Sequence, residues 1–174
     1  MKEEKVIICG ESGSGKDYLL RGLVKLGVRY KPKFTTRPKR TLEKDGVEYN
    51  FIDNITFDNM LKSGDIKTYQ KFIINDNTWY YGVSKDNFEE NQAFIMTPHE
   101  IRQLSEEDLK DCFVVYLDID YNTRKSRLVN RKDISDKIER RLKADKIDFQ
   151  GFDIYDLKVT DPEFESEWVY DLMR

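Results

Sequence analysis

The stretch Lys5-Val6-Ile7-Ile8-Cys9-Gly10-Glu11-Ser12-Gly13-Ser14-Gly15-Lys16-Asp17 changes character twice in a short space. Residues 5–9 form an apolar run with β-branched side chains, the pattern of a buried strand. Residues 10–15 bring three glycines into six positions and predict a tight turn. Beyond Asp17, Leu19, Leu20, Leu23, Val24 and Leu26 recur at helical spacing, and Gly27 supplies a stop. Strand, glycine-rich loop and helix in direct succession make an anion cradle. Consecutive backbone N–H groups converge only where glycine frees the chain, and the positive end of the helix points at the same anion.

Outward from this start the pattern changes between residues 35 and 83. Alternation over 47–52 suggests a strand, 56–63 a short helix followed by Gly64, and 66–74 another strand. Asn75-Asp76-Asn77 reads as a hairpin turn into Thr78-Trp79-Tyr80-Tyr81. These features predict an antiparallel insertion. The alternation of strands and helices then resumes, with strands at 93–96, 112–117 and 157–160 and helices at 122–130, 135–146 and 163–173. Such alternation predicts an α/β fold with a central parallel sheet flanked by helices. At 174 residues the chain fits one domain, with a core of 1–34 and 84–174 and the insertion at 35–83.

With 39% hydrophobic and 36% charged residues the composition is that of a soluble globular protein. No run approaches the ~20 apolar residues of a membrane span, and the charged start runs into a strand without the apolar core of a signal peptide. These readings predict a cytoplasmic protein without a membrane partner. A net charge of −3 argues against a nucleic-acid partner. Cys9 and Cys112 each lie in an apolar run and read as buried, reduced thiols. His99 has no second histidine with which to share a metal and reads as a surface or turn residue. Two basic islands stand out in the acidic chain. One carries Arg29, Lys31, Lys33, Arg37, Lys39, Arg40 and Lys44; the other Arg124, Lys125, Arg127, Arg131 and Lys132. Small phosphate ligands explain both.

Gly10-Glu11-Ser12-Gly13-Ser14-Gly15-Lys16 fits the first seven positions of the P-loop pattern G-x-x-x-x-G-K-[ST]. The pattern implies ATP on residues 10–17, with Lys16 reaching the terminal phosphates. Where it has Ser or Thr for magnesium this chain has Asp17, whose carboxylate oxygens suit the same ion. Asp17 is therefore the expected Mg2+ anchor.

The run Thr35-Thr36-Arg37-Pro38-Lys39-Arg40-Thr41-Leu42-Glu43-Lys44-Asp45-Gly46-Val47-Glu48-Tyr49-Asn50-Phe51 resembles the signature of guanylate kinases. The resemblance continues through Tyr80-Tyr81-Gly82, an arginine-rich lid at about 124–134 and Arg140-Arg141-Leu142. It implies a P-loop kinase that passes the γ-phosphoryl group of ATP to GMP or dGMP, with small-molecule nucleotides as partners, as a monomer or homodimer. Arg37, Arg40, Glu43, Tyr49, Thr68 and Tyr81 would hold the acceptor, and Arg127, Arg131 and Arg141 would join Lys16 in catalysis, with Arg124 and Arg140 as alternatives for the lid. The guanylate kinases that the chain resembles read the base with a carboxylate, a hydroxyl and an Asp; the aligned positions here hold Thr68 (or Lys67), Val83 and Thr97. Gly13-Ser14-Gly15-Lys16-Asp17 and Tyr80-Tyr81-Gly82-Val83 resemble instead the ribose 1,5-bisphosphate kinases. Another phosphorylated acceptor is therefore the alternative, and a catalytically silent guanylate-kinase-like binding module is a third reading.

Overall fold

A computed structural model describes residues 5–131 and 135–174. In chain order the described strands are β1 Lys5–Gly10, β2 Phe34–Thr35, β3 Asn50–Phe51, β4 Ile66–Ile74, β5 Asn77–Ser84, β6 Ala93–Ile95, β7 Cys112–Leu117 and β8 Leu157–Val159. The helices are α1 Lys16–Lys25, α2 Asn54–Ser63, α3 Lys85–Glu90, α4 Pro98–Ile101, α5 Glu106–Lys110, α6 Tyr121–Asn130, α7 Ser135–Asp148 and α8 Ser166–Leu172. They fall into two compact units, one of residues 1–28, 92–98 and 106–174, the other of 29–91 and 99–105.

The first unit is the expected parallel sheet flanked by helices, in the order β6-β1-β7-β8. Burial from both sides explains why β1 is an unbroken apolar run: Val6, Ile7, Ile8 and Cys9 have no exposed surface. Each aliphatic side chain removed from water in this way contributes about 1.5–3 kcal/mol. Helix α1 adds Leu19, Leu20 and Leu23 to the buried set, as their spacing requires. Leu128 of α6 packs with Ile138 and Leu142 of α7 in a separate small cluster. Among the described residues both cysteines are free; Cys9 is buried and Cys112 half-buried, and burial pushes both thiols up to about 12.

The second unit carries the sheet β3-β2-β5-β4. The β4–β5 hairpin turns at Asn75-Asp76, whose φ angles of 49° and 63° lie in the left-handed region, as two-residue turns that match the right-handed twist of the strands require. Strand β2 runs antiparallel to β5 but parallel to β3, so the sheet is antiparallel except at its β2–β3 margin. Phe57 of α2 is fully buried against this sheet and stacks on Tyr80 at 4.9 Å. The open edge at β4 is covered in part by Gln103, whose amide accepts from Tyr69 N–H at 3.0 Å and donates to Tyr69 C=O at 2.7 Å.

The expected strand over 47–52 shrinks to Asn50–Phe51. Its first half is a turn, in which Gly46 N–H bonds the Tyr49 carbonyl at 2.8 Å and Val47 N–H the Lys44 carbonyl at 3.1 Å, leaving no backbone for a ladder. The last helix starts at Ser166 rather than 163, and β2, α3, α4 and α5 are additions. His99 is exposed on α4. The end of the lid expected at 124–134, residues 132–134, lies outside the described residues.

Candidate functional site

The loop in the first unit springs from the central strand and ends on α1. Gly10 sits where a Cβ would meet Ser14 Oγ at 2.5 Å and the Leu117 carbonyl at 2.9 Å. Gly13, at φ +80°, presses so close to α6 that a Cβ would lie 2.7 Å from the Arg124 carbonyl. Gly15 caps α1 at φ 102° without a side-chain cap hydrogen bond. The first N–H groups of a helix have no carbonyl one turn earlier, so α1 offers donors and a positive dipole end to whatever enters the loop. Ser14 Oγ is fully buried without a hydrogen-bond partner.

Lys16 lies half-buried over the loop, its ammonium donating to the carbonyls of Gly10 at 2.7 Å and Glu11 at 3.1 Å. Burial pushes this ammonium below the usual lysine range, against the opposing pull of Asp145 and Asp17. A desolvated cation in a cradle of N–H groups attracts phosphate more strongly than it would in water. Asp17 is exposed in the first turn of α1. No group of three or more His, Cys, Asp or Glu able to hold a metal occurs among the described residues.

The basic helix α6 divides its work. Arg124 is buried: its Nε donates to the Ile119 carbonyl at 2.8 Å and its guanidinium is ion-paired with Glu11. It braces the loop from the side of α6. Burial raises the Glu11 carboxyl above its ordinary value, with Arg124 opposing. Arg127 reaches the loop as well, donating to Gly13 C=O at 3.1 Å and Pro162 C=O at 2.9 Å. Arg127 and Arg131 line a cavity of about 340 Å³ beside Gly15, together with the edge-to-face pair Tyr18 and Phe164. Arg140 and Arg141 are exposed on α7. One turn beyond Arg141, Asp145 accepts the Ser12 N–H at 2.6 Å, a contact that the sequence reading did not anticipate.

In the second unit Arg37 is 6% exposed and holds its fork in a defined setting. Nε donates to Tyr81 Oη at 3.1 Å, Nη1 to Pro38 C=O at 2.9 Å and to Glu43 at 3.0 Å, and Nη2 to Glu43 at 2.7 Å. The guanidinium lies 5.6 Å from the centre of the Tyr49 ring and 5.8 Å from that of Phe51. Burial alone would lower the Arg37 pKa, but Glu43 and Tyr81 outweigh it and raise it. The Arg37 bond is the main cause that holds the Glu43 carboxyl below its ordinary value, and the Arg40 N–H at 2.8 Å adds to it. Glu43 thus braces Arg37 within the expected acceptor set. The Arg40 side chain is exposed.

On β4 and β5, residues directly opposite share a face of the sheet. Thr68 faces Val83 and Gln70 faces Tyr81. Tyr81 in turn packs edge-to-face with Tyr49 and Phe72, each at 5.6 Å. Arg37, Tyr49, Thr68 and Tyr81 therefore belong to one unit and one neighbourhood, to which the structure adds Gln70.

A parallel sheet with a glycine-rich phosphate loop on its central strand, and a second sheet with a braced arginine, define a P-loop α/β protein built to handle phosphates. The family model described as guanylate kinase matches residues 2–169. The chain belongs to the guanylate kinase family. It is 31% identical to the guanylate kinase of Mycoplasma genitalium over 171 residues, covering 92% of this chain and 70% of that protein. It is 26% identical to that of Nostoc sp. over 170 residues, with coverage of 92% and 83%. The crystal structure of guanylate kinase from Anaplasma phagocytophilum shares the fold with a TM-score of 0.70 at 18% identity, covering all of this chain and 86% of that one. The chain is a guanylate kinase-like phosphotransferase. No helix among the described residues is long and apolar enough to cross a membrane.

Proposed function

We propose that the protein transfers the γ-phosphoryl group of ATP to the monophosphate of GMP or dGMP. The observation that carries this reading is the clasp of Arg37, Glu43 and Tyr81. A buried guanidinium aligned by a carboxylate and a phenol suits a small phosphate better than a surface arginine would. ATP binds the loop of residues 10–17, its phosphates taking up the N–H groups of the loop and of α1. Lys16 exchanges two carbonyl partners for phosphate oxygens. Arg127, Arg131 and Arg141 stabilise charge as it spreads over the transferred group, while Arg40 and Tyr49 complete the acceptor shell. Positioning and electrostatics supply the rate in such transfers, and no covalent intermediate is needed.

Magnesium suits the donor set at the head of α1, where the exposed Asp17 carboxylate is a hard oxygen ligand next to the phosphate loop. Bound there it would neutralise phosphate charge. The uncharged Thr68 and Val83 at the base end keep other acceptors in the test.

Purified protein is incubated with ATP and magnesium, and ADP release is followed with GMP, dGMP, AMP, UMP and ribose 1,5-bisphosphate supplied separately. Rapid turnover is expected with GMP or dGMP. Turnover only with another acceptor reassigns the substrate, and silence with all five, together with failure to bind ATP, leaves the binding-module reading.

A further inference from the structure

Thr68 Oγ1 and Gln70 Oε1 are buried without a hydrogen-bond partner. A buried polar atom without a partner destabilises the fold, and a ligand that bonds it removes that cost. The two atoms lie on one face of β4 and do not bond each other. Their shared face also carries Tyr81 and Phe72. Gln70 lies directly opposite Tyr81, whose hydroxyl accepts from Arg37. An amide with an unused carbonyl is thus one residue pair away from the phosphate clasp, beside aromatic rings suited to a flat heterocycle.

We propose that Gln70, supported by Thr68, is the residue that reads the base of the acceptor. The inference rests on the nucleoside monophosphate kinase reading above and adds the group that recognises the base. A carboxylate only accepts hydrogen bonds, so it selects an edge with adjacent donors, such as N1–H and the 2-amino group of guanine. An amide both accepts and donates. Gln70 Oε1 takes N1–H while Nε2 donates to O6, the edge that guanine and hypoxanthine have in common. Thr68, at the position aligned with the carboxylate of guanine readers, offers one hydroxyl and no charge. The 2-amino group goes unread, and the chain accepts 6-oxopurine monophosphates as a class.

The test compares GMP with IMP as acceptors for the unaltered chain, Gln70→Ala and Gln70→Glu, with saturating ATP and magnesium. The unaltered chain is expected to use both with kcat/KM values within about threefold. Gln70→Ala raises the KM for both acceptors about tenfold and leaves the KM for ATP unchanged, as expected for one lost base contact. Gln70→Glu restores a pair of acceptors and shifts preference toward GMP by about tenfold, a change that a merely structural role for Gln70 would not produce. Unchanged acceptor KM in Gln70→Ala overturns the proposal, as does an unaltered GMP to IMP ratio in Gln70→Glu. If the unaltered chain turns over neither acceptor, the reading of GMP or dGMP as the substrate has itself failed, and the inference falls with it.

Discussion

The glycine-rich loop of the first unit and the floor of the small sheet in the second differ in how they are built. The loop works through its backbone. Gly10 and Gly13 lie where any Cβ would strike Leu117 or Arg124 carbonyl oxygens at less than 3 Å, so the sequence has little freedom there. The floor works through side chains on a fixed strand pair. Thr68, Gln70, Tyr81 and Val83 project from the β4–β5 pairing, whose register is regular from Thr68 to Ile74, and backbone hydrogen bonds rather than these side chains make that pairing. A site made of backbone must keep its residues to exist. A site made of side chains can change what it recognises while the fold stands still. This accounts for a phosphate loop that departs from its pattern only at Asp17, and for a base end that lacks the expected carboxylate.

Four measurements test that contrast. The largest effect belongs to the loop. Lys16→Met is expected to lower kcat/KM about a thousandfold, because it removes the charge that the cradle directs at the phosphates, whereas a loss below tenfold would place the catalytic charge elsewhere. Next comes the clasp. Arg37→Ala should raise the acceptor KM about a hundredfold with ATP affinity unchanged, and Arg37→Lys should rescue little of it, since an ammonium cannot reproduce the fork that binds Glu43 and Tyr81.

Backbone dependence is tested by Gly13→Ala. The methyl group would meet the Arg124 carbonyl in a left-handed conformation, and a penalty of about 2 kcal/mol lowers Tm by about 4–8 °C, with weaker ATP binding. An unchanged Tm would show that the loop does not need its glycine. The smallest effect concerns Glu43. Its carboxyl is held below the ordinary 4.5, chiefly by Arg37. The stability it contributes is therefore complete above pH 4.5 and is lost as the pH falls through its lower value in the folded chain. Relative to Glu43→Gln, the unaltered chain should melt about 2–4 °C higher at neutral pH, and the gap should close in acid. A gap independent of pH would show that Glu43 contributes no charge to the clasp.

The same contrast explains what was legible in the sequence. β1, the loop and α1 could be read directly, because an unbroken apolar run, three glycines and a leucine stripe each have one physical reading in that order. Arg37 and Tyr81 were visible through their spacing. Glu43 was visible too, but its bond to Arg37, which makes it a brace, depends on how residues 38–43 turn back. Asp145 was hidden because it lies 133 residues from the Ser12 N–H that it accepts. Gln70 sits in alternating register with Thr68, a placement consistent with the sequence, but nothing in a linear reading marks its carbonyl as buried and unpaired. The strand over 47–52 misled for the opposite reason: alternation was present, but Gly46 turned the backbone on itself.

The central claim is transfer of a phosphoryl group between two nucleotides. The most direct measurement follows ATP carrying a radioactive label in the γ-phosphate, mixed with magnesium, GMP and the purified chain. We predict that the label appears in GDP in proportion to the ATP consumed, and that Lys16→Met abolishes the transfer. Label remaining in ATP, or released only as inorganic phosphate, would contradict it.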